Sequence, residues 1–320
     1  MELPDLRPGD ILTETLYTCI SPGTDLRVLS GVAEAVGRFP FVIGYSNIGR
    51  IISRGTGVDL PEGTLVFTRG VRSGPGVNFL WGSQTAHCVL SASDAIQIPE
   101  GVDIAEACLT KLAAICYHGV RQSRPFLGEK AVVIGLGIIG QISARLHQSG
   151  GAKVIALDRS KHRVAIAKSV GIDARKVDSS LADACYDILP GGADIVVEAT
   201  GVPSVLKEAV QLASSTSWSE ASCSDARILI QGSYPDDVCF NYSHANGKQA
   251  RFLLSRDTHL IDYLRVTELL KNKMLKMRDL ISDIRLPADA QKTFDELRKP
   301  ETKLMTVVFD WQRFSAGKRL

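Results

Sequence analysis

A chain of 320 residues with 45% hydrophobic and 22% charged residues has the balance of a folded protein of two ordinary domains, which excludes the disordered and fibrous classes. The formal net charge is only +2, with Lys and Arg interleaved among Asp and Glu, so nucleic acid is not expected as a partner. No stretch approaches the roughly 20 apolar residues of a membrane helix, and Met-Glu-Leu-Pro-Asp lacks the basic and apolar regions of a signal peptide, so no membrane partner and a cytoplasmic location are expected.

Residues 1 to about 100 carry short strand-like runs punctuated by Gly and Pro: Ile11–Leu16, Arg50–Ser53, Thr64–Thr68, Thr85–Leu90 and Ala95–Ile98. They predict a small β-rich domain over 1–103. From residue 104 helical patterns alternate with buried strands at Ala131–Ile134, Lys153–Ala156, Ile195–Glu198 and Arg227–Ile230, the texture of a parallel α/β sheet over 104–282. A helix through Ile261–Lys271, the segment Leu280–Leu286, a helix around Ala288–Leu297 and a strand Leu304–Phe309 follow, and 283–320 is expected to return to the first domain. Ser214 to Asp225 is serine-rich and reads as an extended surface loop. The seven cysteines, Cys19, Cys88, Cys108, Cys116, Cys185, Cys223 and Cys239, include no Cys-x-x-Cys pair and read as free thiols packed as small apolar groups.

The most informative motif follows the first α/β strand. Gly135-Leu136-Gly137-Ile138-Ile139-Gly140 is a G-x-G-x-x-G loop between a strand and a helix-like segment. Gly135 allows the tight turn, Gly137 lets the backbone approach a pyrophosphate, and Gly140 lets the helix pack on the strand with its N-terminus facing the anion. Asp158, eighteen residues beyond Gly140 at the end of the next strand, supplies the carboxylate that accepts from the adenosine ribose hydroxyls and repels a 2′-phosphate. NAD is therefore expected over NADP, with the neighbouring Arg159 as the one cation that could receive such a phosphate.

Gly44-Tyr45-Ser46-x-x-Gly49-x5-Gly55-x-x-Val58 resembles the G-H-E-x2-G-x5-G-x2-V signature of the medium-chain dehydrogenase/reductase superfamily, and the resemblance continues through Glu62–Val66, Gly135–Gly140 and Glu198-Ala199-Thr200-Gly201. It implies an α/β protein overall, a β-rich GroES-like substrate domain joined to a Rossmann doubly wound parallel sheet, and an assembly as a homodimer or homotetramer. It also implies cofactor contacts from Thr200 and Gly201 at the nicotinamide side and Arg163 flanking the adenine; Gly232 and Ser233, which follow a core strand, are expected to line the nicotinamide side.

The departures from the family are as informative as the matches. Its first zinc-ligand motif, Cys-x-[Ser/Thr]-Asp-x-His, is represented by Pro22-Gly23-Thr24-Asp25-Leu26-Arg27; the second ligand position holds Tyr45 and the third Lys111. None supplies the thiolate or imidazole that tetrahedral zinc prefers, and no cysteine falls between Gly63 and Ala86 where a structural zinc lobe would lie. The pattern is similar to the zinc-free group that includes bacteriochlorophyllide dehydrogenase, and no zinc is expected.

A dehydrogenase without metal needs side chains to hold and protonate the substrate oxygen. Tyr45 is expected to handle the proton, Lys111 to lower its pKa or hold the oxygen, and Thr24 or Ser21 to relay to solvent. A second role stays open, in which Tyr45 fills the vacated metal cavity and Lys111 contacts cofactor or substrate without chemistry. The glycine-rich loop Arg69 to Asn78 and Arg27 tilt the substrate to a polyol, sugar or cyclitol-like secondary alcohol, with a ring-attached hydroxyl as an alternative. Two other functions are compatible with the residues: an NADPH-dependent quinone or enoyl reductase, and a non-catalytic NAD-binding sensor.

Overall fold

The computed structural model describes residues 2–31, 40–74, 76–178, 180–186, 188–215, 226–234 and 237–316. The chain divides into two compact units, 1–111 with 263–320, and 112–262. Both crossings fall inside helices, Thr110–Ser123 and Leu260–Lys271, rather than in the connections near 103 and 282. Phe67 and Tyr263, with ring centroids 5.8 Å apart, tie the start of the second of these helices to the first unit. The serine-rich loop lies outside the described residues from 216 onward, as does Cys223.

The first unit is built on a seven-stranded sheet whose long strand Asp10–Cys19 pairs antiparallel with Asn47–Arg54, His87–Ser91 and Thr306–Asp310. The register Tyr17 to Asp310 and Cys19 to Val308 shows the last strand of the chain returning to the first. Ile11, Ile51, Val66, Cys88 and Leu90 form one apolar cluster, and Ile20, Leu297, Val307 and Phe309 another.

In the second unit all six strands are parallel, in the spatial order Asp173–Lys176, Lys153–Asp158, Lys130–Ile134, Ile195–Glu198, Arg227–Ile230, Arg251–Leu254. Both faces are covered: Ala131 and Val133 point into one core and Val132 and Ile134 into the other, as the two-residue period of a strand requires. Cys19, Cys88, Cys108 and Cys116 are buried free thiols, whereas Cys239 is exposed. Among the described residues no helix is long and apolar enough to cross a membrane.

Candidate active site and dinucleotide loop

The expected site residues fall into two sets, one in each unit. In the second unit they gather where the parallel strands end. Gly135 follows Ile134 with φ +88°, and a Cβ there would meet Thr200 Cγ2 at 2.6 Å. A Cβ on Gly140 would run into the carbonyl oxygen of Gly135, so the helix Ile138–Ser149 can approach the strand only with glycine at that position. Gly137, at the N-cap of this helix, has open space around its Cβ position, as a backbone that receives a ligand needs. Leu136 and Ile138 turn their side chains into the core, leaving backbone to form the loop surface; Ile139 accepts from Cys116 Sγ at its carbonyl, 3.4 Å away.

Asp158 fastens this loop to the next helix. One carboxylate oxygen accepts from Leu136 N–H at 2.6 Å, the other from Ser160 N–H at 2.7 Å, and Arg163 Nη1 lies 3.8 Å away. Arg159 is exposed beside it. The remaining residues close around Glu198, a carboxylate that the sequence reading did not single out. It is fully buried and accepts from Thr200 N–H at 2.7 Å, Gly201 N–H at 3.2 Å and the hydroxyls of Thr200 and Tyr234. Burial and this carboxylate push the Tyr234 phenol well above its ordinary value. Gly201 and Gly232 pack backbone to backbone, where a Cβ on either would strike the other loop; Ser233 follows Gly232 and is exposed.

In the first unit, Ser21 occupies the N-cap position of the helix Pro22–Leu29 without a side-chain cap bond, and the Pro-Gly start conceals this helix from a pattern search even though proline suits a first helical turn. The Tyr45 hydroxyl donates to Ser21 Oγ and, at 3.1 Å, to Thr24 Oγ1, so three of the four expected catalytic residues form one hydrogen-bonded group. Trp81, in a left-handed backbone conformation at φ +66°, sets its ring edge against Tyr45 with centroids 5.2 Å apart. Lys111 is placed differently: its ammonium sits 5.4 Å from the Tyr263 ring centroid. The expected lowering of the Tyr45 pKa by that ammonium is not found. Burial and the nearby Asp25 carboxylate push the phenol up instead, outweighing the hydrogen bonds to Ser21 and Thr24.

Asp25 lies one residue beyond Thr24 in the same helix. It is 1% exposed; one oxygen accepts from Ser21 N–H at 2.9 Å, and the other has no partner. Burial raises its pKa from 3.8 to about 7. The hydroxyls of Ser46 and Ser83, flanking Gly44 and Tyr45, are likewise buried without a partner. Orphaned buried polar atoms of this kind are uncommon.

These residues do not fit a tetrahedral zinc. Pro22 has no donor, Tyr45 is engaged by two hydroxyls and pushed away from phenolate, and the nearby Cys19 thiol is raised to about 12 by burial. Among the described residues no three His, Cys, Asp or Glu side chains come together as a metal site. The arginines of the loop Arg69 to Asn78 are tied inside the unit, Arg69 to Asp94 at 3.0 Å and Arg72 to the buried Asp10 at 2.8 Å.

With the strand Lys130–Ile134 counted as first, the parallel sheet runs 3-2-1-4-5-6, and its glycine loop lies at the point where strand order reverses; set beside a β-rich unit, this defines a two-domain dinucleotide-binding fold. Comparison with known proteins agrees. A family described as "Zinc-binding dehydrogenase" matches residues 138–216, a stretch that includes none of Pro22, Tyr45 and Lys111. The chain is 26% identical over 308 residues to 2-dehydro-3-deoxy-L-galactonate 5-dehydrogenase of Pseudoalteromonas atlantica, covering 89% of this chain and 87% of that one. It is 22% identical over 328 residues to 2-desacetyl-2-hydroxyethyl bacteriochlorophyllide A dehydrogenase of Cereibacter sphaeroides, covering 98% and 93%. The crystal structure of 2R,3R-butanediol dehydrogenase from Bacillus subtilis superposes with a TM-score of 0.82 at 19% identity, covering 97% of this chain and 94% of that one, which shows the shared fold. Over most of its length the chain is similar to named dehydrogenases, and its fold comprises a GroES-like unit and a Rossmann unit.

Proposed function

We propose that the protein is a metal-independent, NAD-dependent dehydrogenase that interconverts a secondary alcohol, of polyol, sugar or cyclitol type, and its ketone. The observation that carries this reading is the Tyr45 hydroxyl held by Ser21 and Thr24 at a position where the family places a zinc ligand. A bound nicotinamide would supply the hydride acceptor or donor. This chain's own residues would manage the oxygen and its proton.

A phenol pushed upward stays protonated near neutral pH, so Tyr45 acts as the hydrogen-bond and proton donor to a ketone oxygen during reduction. In the oxidative direction the alcohol proton returns to Tyr45 as its own proton passes along Ser21 or Thr24. Asp25, which titrates near neutrality beside Ser21, is the group that accepts it. Lys111 serves the substrate oxygen or cofactor, not the ionisation of Tyr45. The similarity to 2-dehydro-3-deoxy-L-galactonate 5-dehydrogenase supports a substrate rich in hydroxyl groups. Asp158, fixed by two backbone amides at the strand end, supports NAD by offering acceptors to ribose hydroxyls and repulsion to a 2′-phosphate.

The test is an NAD-coupled screen across polyols, aminocyclitols and hydrophobic secondary alcohols, with bound metal measured on the same preparation. Turnover of a hydroxyl-rich alcohol by metal-free protein supports the reading. Activity that appears only with stoichiometric zinc overturns it.

A further inference from the structure

The second unit carries a cavity at the end of its sheet where the strands begin, away from the glycine loop. Arg227 and Arg251 are the first residues of neighbouring strands and pair in register, so their side chains start from adjacent strands about 4.8 Å apart. Gly135, Asp158, Glu198 and Gly232 all stand at or beyond the opposite ends of their strands, roughly 13 Å along a four-residue run. The cavity is about 720 Å³, within the size range of small-molecule sites.

Its lining is strongly basic. Arg121, Arg124, Arg227 and Arg251 contribute to it, against Glu129 as the single carboxylate among the lining residues. Arg227 and Arg121 are held by hydrogen bonds and an ion pair of ordinary length to neighbouring groups. Arg227 donates through Nη1 to the carbonyls of Ser123 and Arg124, at 2.6 and 2.8 Å, and pairs with Glu129 through Nη2. Arg121 is held by the buried Asp262, Nε to Oδ1 at 2.6 Å; His118, hydrogen-bonded to Gln122 and 3.2 Å from Asp262, also lines the cavity. Arg124 sits in the left-handed region at φ +47°, a conformation that costs an arginine energy and would suit glycine. The turn is kept by Arg227's grip on its carbonyl, and it leaves an exposed guanidinium at the rim. Phe126, 66% exposed, provides an apolar face at the same rim.

We propose that this cavity binds a small phosphorylated molecule, its phosphate taken by Arg124 and Arg251 over the fixed floor of Arg227 and any apolar part lying against Phe126. A planar guanidinium fork matches phosphate oxygens in pairs, and a cavity floored by immobilised arginines loses little side-chain freedom on binding. The site stands independently of the dehydrogenase reading and needs no dinucleotide.

Isothermal titration with inorganic pyrophosphate tests it. The variant Gly137→Asp places a carboxylate in the open space of the glycine loop and repels an anion there, leaving only the second site. Pyrophosphate binding to this variant with a dissociation constant below about 1 mM is expected, weakening as salt is raised. Adding Arg124→Gly, which relaxes the left-handed residue and so keeps or raises the thermal midpoint, should weaken that binding about tenfold, the loss of one charge-assisted contact. Absence of pyrophosphate binding in Gly137→Asp, or an affinity unmoved by Arg124→Gly, overturns the proposal.

Discussion

Replacing Asp25 by asparagine should change how stability depends on pH. The Asp25 side chain is buried, with one oxygen on Ser21 N–H at 2.9 Å and the other unpartnered, and its pKa rises from 3.8 to about 7 through burial. Between those values the folded protein holds a proton that the unfolded chain has released. The stability from this group is therefore complete below the unfolded value and lost as pH rises through the folded one. From about pH 5 to about pH 8 the loss comes to about 2.5 kcal/mol.

His147 works in the opposite sense. Burial lowers its pKa from 6.5 to about 4, so the unfolded chain takes up a proton first as pH falls, and stability is lost towards acid. Over the same window its contribution grows with pH by about 2 kcal/mol, nearly cancelling that of Asp25 in the wild type. Asp25→Asn keeps an acceptor for Ser21 N–H, cannot ionise and leaves the His147 contribution uncovered. Urea unfolding at the two pH values should show a wild type almost indifferent to this pair and a variant that gains stability with pH. Parallel behaviour of the two proteins would refute the reasoning, since it would mean that Asp25 titrates alike folded and unfolded.

Tyr45→Phe removes the hydroxyl that donates to Ser21 and Thr24, and kcat for the alcohol found in the screen should fall by about a hundredfold or more while NADH binding, followed by fluorescence, is kept. Asp158→Ala removes the ribose acceptor together with the Leu136 tether; NADH affinity should drop about tenfold or more and its advantage over NADPH should shrink, read by titration with both. If both cofactors weaken equally, Asp158 serves the loop alone. Gly140→Ala drives a methyl group into the Gly135 carbonyl, and calorimetry should show a loss of about 3 kcal/mol.

The glycine loop was legible because each requirement is local. A positive φ at Gly135 and a helix-to-strand contact at Gly140 follow from a few consecutive residues, and the sequence spells them out. The strands Asp173–Lys176 and Arg251–Leu254 were not legible, because at the two edges of the sheet only one residue in four, or none, is fully buried and the pattern stays polar or mixed. They exist because the neighbouring strands offer a free row of backbone groups, a tertiary fact.

The same distinction explains the reversal at Tyr45. Motif spacing brought Tyr45, Ser21 and Thr24 together correctly, since the loop before Pro22 and the turn at Gly44 are short and fixed by the sheet. It could not say what Lys111 would face: that depends on Tyr263, which reaches the first unit only after the chain has completed the whole parallel sheet. Nor could spacing show that Asp25 would be enclosed with one oxygen unmatched. A carboxylate four residues after a capping serine ordinarily reads as a helix-end charge in solvent. Here enclosure lifts its pKa to about 7, and burial together with this carboxylate pushes the Tyr45 phenol up, which is why the role proposed for Tyr45 in reduction is that of a protonated donor.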